Sequence, residues 1–103
     1  MSEYQHLARV DDIPAGQSRR IEVQGKEILL CHVKGEFFAV DNICTHAYAQ
    51  LHQGRLRGYR LICPLHGASF DVRDGSVKGK PAFVPLKSYP LKIEDGAILV
   101  RME

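Results

Sequence analysis

Glycine-centred turns set between short apolar runs constrain this chain more than any other feature. Ser18 to Val23 alternates loosely and meets Gln24-Gly25, which leads into Lys26 to Val33, a run rich in Ile, Leu and Val. Lys34-Gly35 then leads into Phe37-Phe38-Ala39-Val40. Near the other end, Lys87 to Ile93 is joined to Ile98-Leu99-Val100 across Glu94-Asp95-Gly96. A glycine between two such runs marks a tight hairpin, and Asp-Gly is among the strongest short-range signals for one. No segment carries the period of a long helix. The pattern predicts an all-β chain, with a β-sandwich base of antiparallel strands drawn from both ends. A loop-rich insert of about residues 42–83 separates them, cut by Gly54, Gly58, Gly67, Gly75 and Gly79.

At 103 residues the chain is expected to form one domain, 1–103. Its core is correspondingly modest, and a bound metal centre would add to its stability. Apolar residues at 45% and charged residues at 25% exclude a disordered chain. No apolar run reaches the roughly 18 residues that cross a bilayer, and Met1 to His6 lacks the basic start and apolar stretch of a secretion signal. A cytoplasmic protein is expected. The net charge of +2 is small and argues for neither nucleic acid nor membrane; Arg19-Arg20 and Arg55/Arg57/Arg60 are the densest basic spots. Three cysteines, Cys31, Cys44 and Cys63, cannot all pair within one chain, so thiols kept for metal or for packing fit better than a disulfide scaffold.

Two of those cysteines lie in the insert. Cys44-Thr45-His46 is followed, after sixteen residues, by Cys63-Pro64-Leu65-His66. Each motif offers a thiolate and an imidazole, ligands suited to zinc or iron. Pro64 and Gly67 fix and relax the backbone on either side of the second motif, as a curl around an ion requires. Tetrahedral zinc accepts two Cys and two His, although zinc fingers group like with like and often place the histidines on a helix. A Cys–His catalytic pair lacks the remaining parts of an acyl-transfer site. Cys31, beside Leu29, Leu30 and Val33, reads as a buried free thiol. His6 and His32 read as surface residues, and His52 as a non-ligand.

Cys-x-His followed by Cys-Pro-x-His-Gly in a β domain resembles the Rieske iron–sulfur signature. The similarity extends through Ala68-Ser69-Phe70-Asp71 and Asp74-Gly75 to Gly79-Lys80-Pro81-Ala82, and back to Val10-Asp11-Asp12-Ile13-Pro14-Ala15-Gly16. These stretches are similar to the ferredoxins that serve aromatic-ring dioxygenases. The resemblance implies the Rieske fold and one [2Fe–2S] cluster, with Cys44 and Cys63 on one iron and His46 and His66 on the other. Histidine ligands raise the potential above that of all-cysteine clusters. Two ferric ions, two sulfides and two thiolates sum to zero charge, so reduction leaves a single negative charge, which suits one-electron transfer.

Position by position, the resemblance narrows. High-potential relatives carry a disulfide between the two loops at the positions of Ala49 and Leu65, and hydroxyl donors at those of Ala68 and Phe70. Without such donors a lower potential is expected. Ala47 stands where dioxygenase ferredoxins usually have glycine, His52-Gln53 where an acidic residue is more common, and the charge is slightly basic where many are acidic. Tyr48, Leu65 and Pro81 are expected around the cluster, with Phe83 close by in sequence. The implied function is a one-electron carrier, not itself an enzyme, from a flavin-dependent reductase to a terminal Rieske non-haem-iron oxygenase, as a monomer. A fixed small Rieske subunit of a nitrite-reductase-type enzyme, and a structural zinc module, are the alternatives.

Overall fold

The computed structural model describes residues 3–45, 49–65, 67–80 and 84–102. From the N-terminal part come β1 (Tyr4–Arg9), β2 (Ser18–Val23), β3 (Lys26–Val33) and β4 (Glu36–Asp41). The middle of the chain supplies β5 (Arg55–Arg57), β6 (Arg60–Ile62), β7 (Ser69–Asp71) and β8 (Val77–Gly79). The last three are β9 (Ser88–Tyr89), β10 (Leu91–Glu94) and β11 (Ala97–Arg101). Two single turns of 3₁₀ helix, Val10–Asp12 and Leu51–Gln53, complete the described elements.

The glycine turns work as the sequence predicts. Gln24-Gly25, Lys34-Gly35 and Asp95-Gly96 all have positive φ at both residues. That conformation matches the twist of paired strands, and glycine adopts it without steric cost. The resulting hairpins set the register Ile21↔Ile28, Leu30↔Ala39 and Ile93↔Ile98.

Among the described residues all strand pairing is antiparallel, in three sheets ordered β1-β11-β10, β2-β3-β4-β9 and β5-β6-β7-β8. The first two form the base. Leu7, Ile28, Leu30, Tyr89, Ile98 and Val100 fill the core between them. Successive side chains of a strand face opposite ways, so β3 turns Ile28 and Leu30 to that core and Leu29, Cys31 and Val33 to a second one. This second core joins the base to the inserted lobe through Leu51, Leu61, Phe70, Val72 and Leu86. Burial on both faces explains why β3 reads as an unbroken apolar run. Each fully buried Leu, Ile or Phe in these cores contributes on the order of 1.5–3 kcal/mol.

Three features depart from the expected pattern. The run from Lys87 to Ile93 is divided at Pro90: β9 pairs with β4, while β10 pairs with β11. Proline has no N–H to continue a ladder, and the chain changes sheets there. Strand β1 is hidden in the sequence because its register shifts between His6 and Ala8, which buries adjacent Leu7 and Ala8 and destroys alternation. The insert also holds a four-stranded sheet of three-residue strands, too short to leave a period-2 signal. It departs from Asp41 and returns at Lys87, where the Asp41 N–H donates to the Lys87 carbonyl at 3.0 Å.

Candidate metal centre

The two cysteine loops share one plan. The Cys44 N–H donates to the carbonyl of Ala49 at 2.9 Å, and the Cys63 N–H to the carbonyl of Ala68 at 2.7 Å. One residue outward, Ile43 bridges Gln50 and Ile62 pairs with Ser69. A further step outward, the Leu51 N–H donates to the Asn42 carbonyl at 2.6 Å, and Leu61 pairs with Phe70. Each loop thus begins at its cysteine and closes five residues later. The second turns back through Gly67, whose φ of +72° lies in the left-handed region that favours glycine.

Both cysteines are buried and unbridged. Burial pushes the Cys63 thiol above its ordinary range; the Leu65 N–H, donating to its sulfur, opposes this, and the Cys44 thiol within hydrogen-bonding reach adds to it. Two facing buried sulfurs, one already receiving a backbone N–H, make a donor set for a thiophilic metal centre, and a [2Fe–2S] cluster fits it. His46 and His66, the other expected ligands, lie outside the described residues, as do Tyr48, Pro81 and Phe83. Among the described residues no group of three or more His, Cys, Asp or Glu side chains could hold a metal ion.

The surroundings pin the loops to the lobe and the base. Asn42, fully buried, accepts the His52 N–H at 2.8 Å through its side-chain oxygen. Its amide nitrogen lies 3.0 Å from both Glu27 Oε1 and His52 Nδ1, and Arg20 Nε donates to the same Glu27 oxygen at 2.8 Å. Thr45 Oγ1 donates to the Val84 carbonyl at 2.5 Å. Gly54 sits where any Cβ would lie 1.9 Å from the Ile62 carbonyl oxygen, so the exit of the first loop packs on the strand leading to Cys63. The Tyr89 hydroxyl donates to Asp41 where the lobe departs.

The profile of the Rieske [2Fe–2S] domain family matches residues 3–90. The chain belongs to that family. It is 44% identical over 96 residues to the ferredoxin component of the naphthalene 1,2-dioxygenase/salicylate 5-hydroxylase systems of a Ralstonia species, covering 93% of this chain and 92% of that one. A ferredoxin of Sphingomonas yanoikuyae B1 superposes with a TM-score of 0.93 at 33% identity, over 98% of this chain and 100% of its own. The complex of reduced oxygenase and oxidized ferredoxin in carbazole 1,9a-dioxygenase contains a chain that superposes at 0.91, with 29% identity over 95% of this chain and 92% of that one. Membership of the family carries with it one [2Fe–2S] cluster.

Within this Rieske domain the remaining residues fall into place. Cys31 is fully buried, with its thiol pushed up to about 12 by burial alone, so it is an inert packing residue as expected. His6 is exposed, but His32 is not a solvated surface residue. It is half-buried, its Nδ1 lies 2.8 Å from the Ile13 carbonyl, and its ring stacks on Phe37 at 4.2 Å. Ala68 and Phe70 are fully buried and bring no hydroxyl to the second loop. Leu65, two residues after Cys63, is 47% exposed, and Val84, whose carbonyl accepts from Thr45, is an exposed apolar residue at 58% that the sequence did not single out. Asn42 was missed as well; a polar residue just past an apolar strand, two positions before the motif, was its only signal. No helix among the described residues is long and apolar enough to cross a membrane.

Proposed function

We infer that Cys44 and Cys63 hold one iron of the cluster and His46 and His66 the other, and that the chain is a one-electron carrier. It passes electrons from a flavin-dependent reductase to a terminal Rieske non-haem-iron ring-hydroxylating oxygenase. The twin loops carry this reading: two matched frames each present one buried cysteine, and each motif has a histidine two or three residues on. The chain works as a single domain, 1–103, a monomer in the cytoplasm. When bound, the cluster takes up and releases one electron at a time.

The chain's own residues set the conditions for that exchange. The Leu65 N–H favours negative charge on the Cys63 sulfur. Ala68 and Phe70 keep water from the second loop and donate nothing to the sulfides, so the midpoint belongs near the low end of the roughly −150 to +300 mV range of Rieske centres. Leu65 and Val84 give the outer edge an apolar rim, suited to the small, quickly exchanging interfaces of redox partners.

Metal and sulfide analysis of the purified protein is the direct test. Iron and acid-labile sulfide should be present in equal amounts, about two of each per chain as a [2Fe–2S] centre requires. Cys44→Ser and His66→Ala should abolish or grossly alter the cluster spectrum, and Cys31→Ser should not. With reductase and oxygenase supplied, the protein should support turnover. Stoichiometric zinc without labile sulfide overturns the reading, and a complex of fixed stoichiometry through purification replaces the free carrier with a fixed subunit.

A further inference from the structure

Charge is divided between the two parts of this molecule. Residues 42–83 carry six Lys or Arg and two Asp, a net +4. The remainder carries eight basic residues against ten acidic ones, a net −2. The small overall charge therefore hides a basic lobe on an acidic base.

The positive charge gathers on one face of the lobe sheet. Leu56, Leu61 and Phe70 point inward to the core, so their strand neighbours Arg55, Arg57 and Arg60 point out. The cross-strand pair Arg57↔Arg60 sets like charges opposite one another, an arrangement that costs stability unless an external anion offsets it. Lys78 closes the far side of the same groove. The acid lining it, Asp71, is already taken by Arg73, through contacts of 2.7 and 3.0 Å. Among the described residues Arg57 and Arg60 form no ion pair, and Lys78 feels Asp71 and Asp74 without a direct salt bridge to either. The stripe reaches the cluster loops: Arg55 pairs with Ile62, the residue before Cys63, and the Arg57↔Arg60 pair lies two residues further, roughly 7 Å.

We propose that this face, centred on Arg57 and Arg60, is a docking surface for an acidic face of the protein that exchanges electrons with the cluster loops. The inference rests on the electron-carrier reading and adds the chemistry of the partner. A nucleic acid is the poorer fit. Tyr59, the aromatic ring lining the groove, already carries Arg73 at 4.0 Å and Lys34 at 4.9 Å, cations that compete with a base for its faces. An acidic protein surface needs only the charges, and their field speeds the encounter with such a partner.

Two inorganic oxidants of opposite charge read the local field directly, with the cluster-loaded protein. Ferricyanide should oxidise the reduced protein faster as salt falls, and tris(phenanthroline)cobalt(III) slower. Arg57→Glu with Arg60→Glu should cut the low-salt ferricyanide rate about tenfold and flatten its salt dependence, in line with steering effects of 10–10³. Arg57→Gln with Arg60→Gln should give a smaller loss of the same sign, should the charge reversal fail to fold. Arg19→Glu with Lys26→Glu, exposed on the base, makes the same change in net charge and should alter the rate less than about twofold. Poly-L-glutamate should protect the wild-type protein from ferricyanide and leave the Arg57/Arg60 variants unprotected. Equal effects of the lobe and base pairs, or tighter binding of a single-stranded DNA oligonucleotide than of polyglutamate, overturn the proposal. A protein without labile sulfide, or one that reduces neither oxidant, overturns the carrier reading and this proposal with it.

Discussion

The two cysteine loops have the same frame and different foundations. The Cys63 loop joins β6 to β7, and behind it stand Leu61 and Phe70, paired across strands and packed in the shared core. Among the described residues the Cys44 loop has no such ladder: one bridge, Ile43↔Gln50, precedes a single 3₁₀ turn. Where the second loop has Leu61, the first has Asn42, whose side chain ties the loop's exit to Glu27 on the base. Both loops rest on the shared apolar core, the first through Ala49 and Leu51, but the first adds directed hydrogen bonds through the Asn42 side chain. Matched loop geometry therefore does not require matched support, and the two should fail in different ways.

Removing the apolar foundation should have the largest effect. Phe70→Ala leaves a cavity in the core shared by lobe and base and should cost about 3–5 kcal/mol, read from denaturant unfolding. A loss below about 1 kcal/mol would mean that the second loop does not depend on that core. Asn42→Ala should cost less, roughly 1–3 kcal/mol, because it removes a fully buried amide and its bonds to the half-buried Glu27 and His52. Its sharper signature is kinetic: iron should be lost to a chelator faster than from the wild type, and if the release rate is unchanged the hydrogen bonds do not hold the first loop. Thr45→Val removes only the bond to the Val84 carbonyl and should cost about 0.5–1.5 kcal/mol, with thermal unfolding as the check.

The smallest effect belongs to acid. The Arg73 guanidinium holds the Asp71 carboxyl below its ordinary 3.8. Its contribution is therefore complete above that pH and disappears as the folded-state carboxyl takes up a proton below it. Asp71→Asn should flatten the fall in stability below about pH 4 while changing little in slope above it. An acid limb identical to that of the wild type would assign the titration elsewhere.

How much of this was legible in the sequence follows from how each part is stabilised. Strands β2 and β3 and their turns were readable because each hairpin needs residues with positive φ, and Gly25, Gly35 and Gly96 advertise them. Cys44 and Cys63 stood out because ligand chemistry admits few residue types, and the fold brings the two buried sulfurs together. Strand β1 escaped because its bulge breaks alternation, and the lobe sheet because three residues are too few to show a period. The division at Pro90 could have been foreseen from the proline alone. Asn42 could not: its importance comes from Glu27 and His52, brought to it by the fold from fifteen residues before and ten after.

The hydrogen bond between Asp41 and Lys87 bears on the order in which the chain assembles. The turns that join β2, β3 and β4, and β10 with β11, bring together residues only a few positions apart, and such hairpins form within microseconds. Pairing β4 with β9 means first closing a loop of roughly 45 residues, and pairing β1 with β11 spans nearly the entire chain. High contact order of this kind makes folding slow. Lengthening that loop is cheap by comparison, since each doubling adds only about 0.6 kcal/mol. Residues added at the tip of the lobe should therefore delay assembly slightly and leave the equilibrium stability of the base almost as it was.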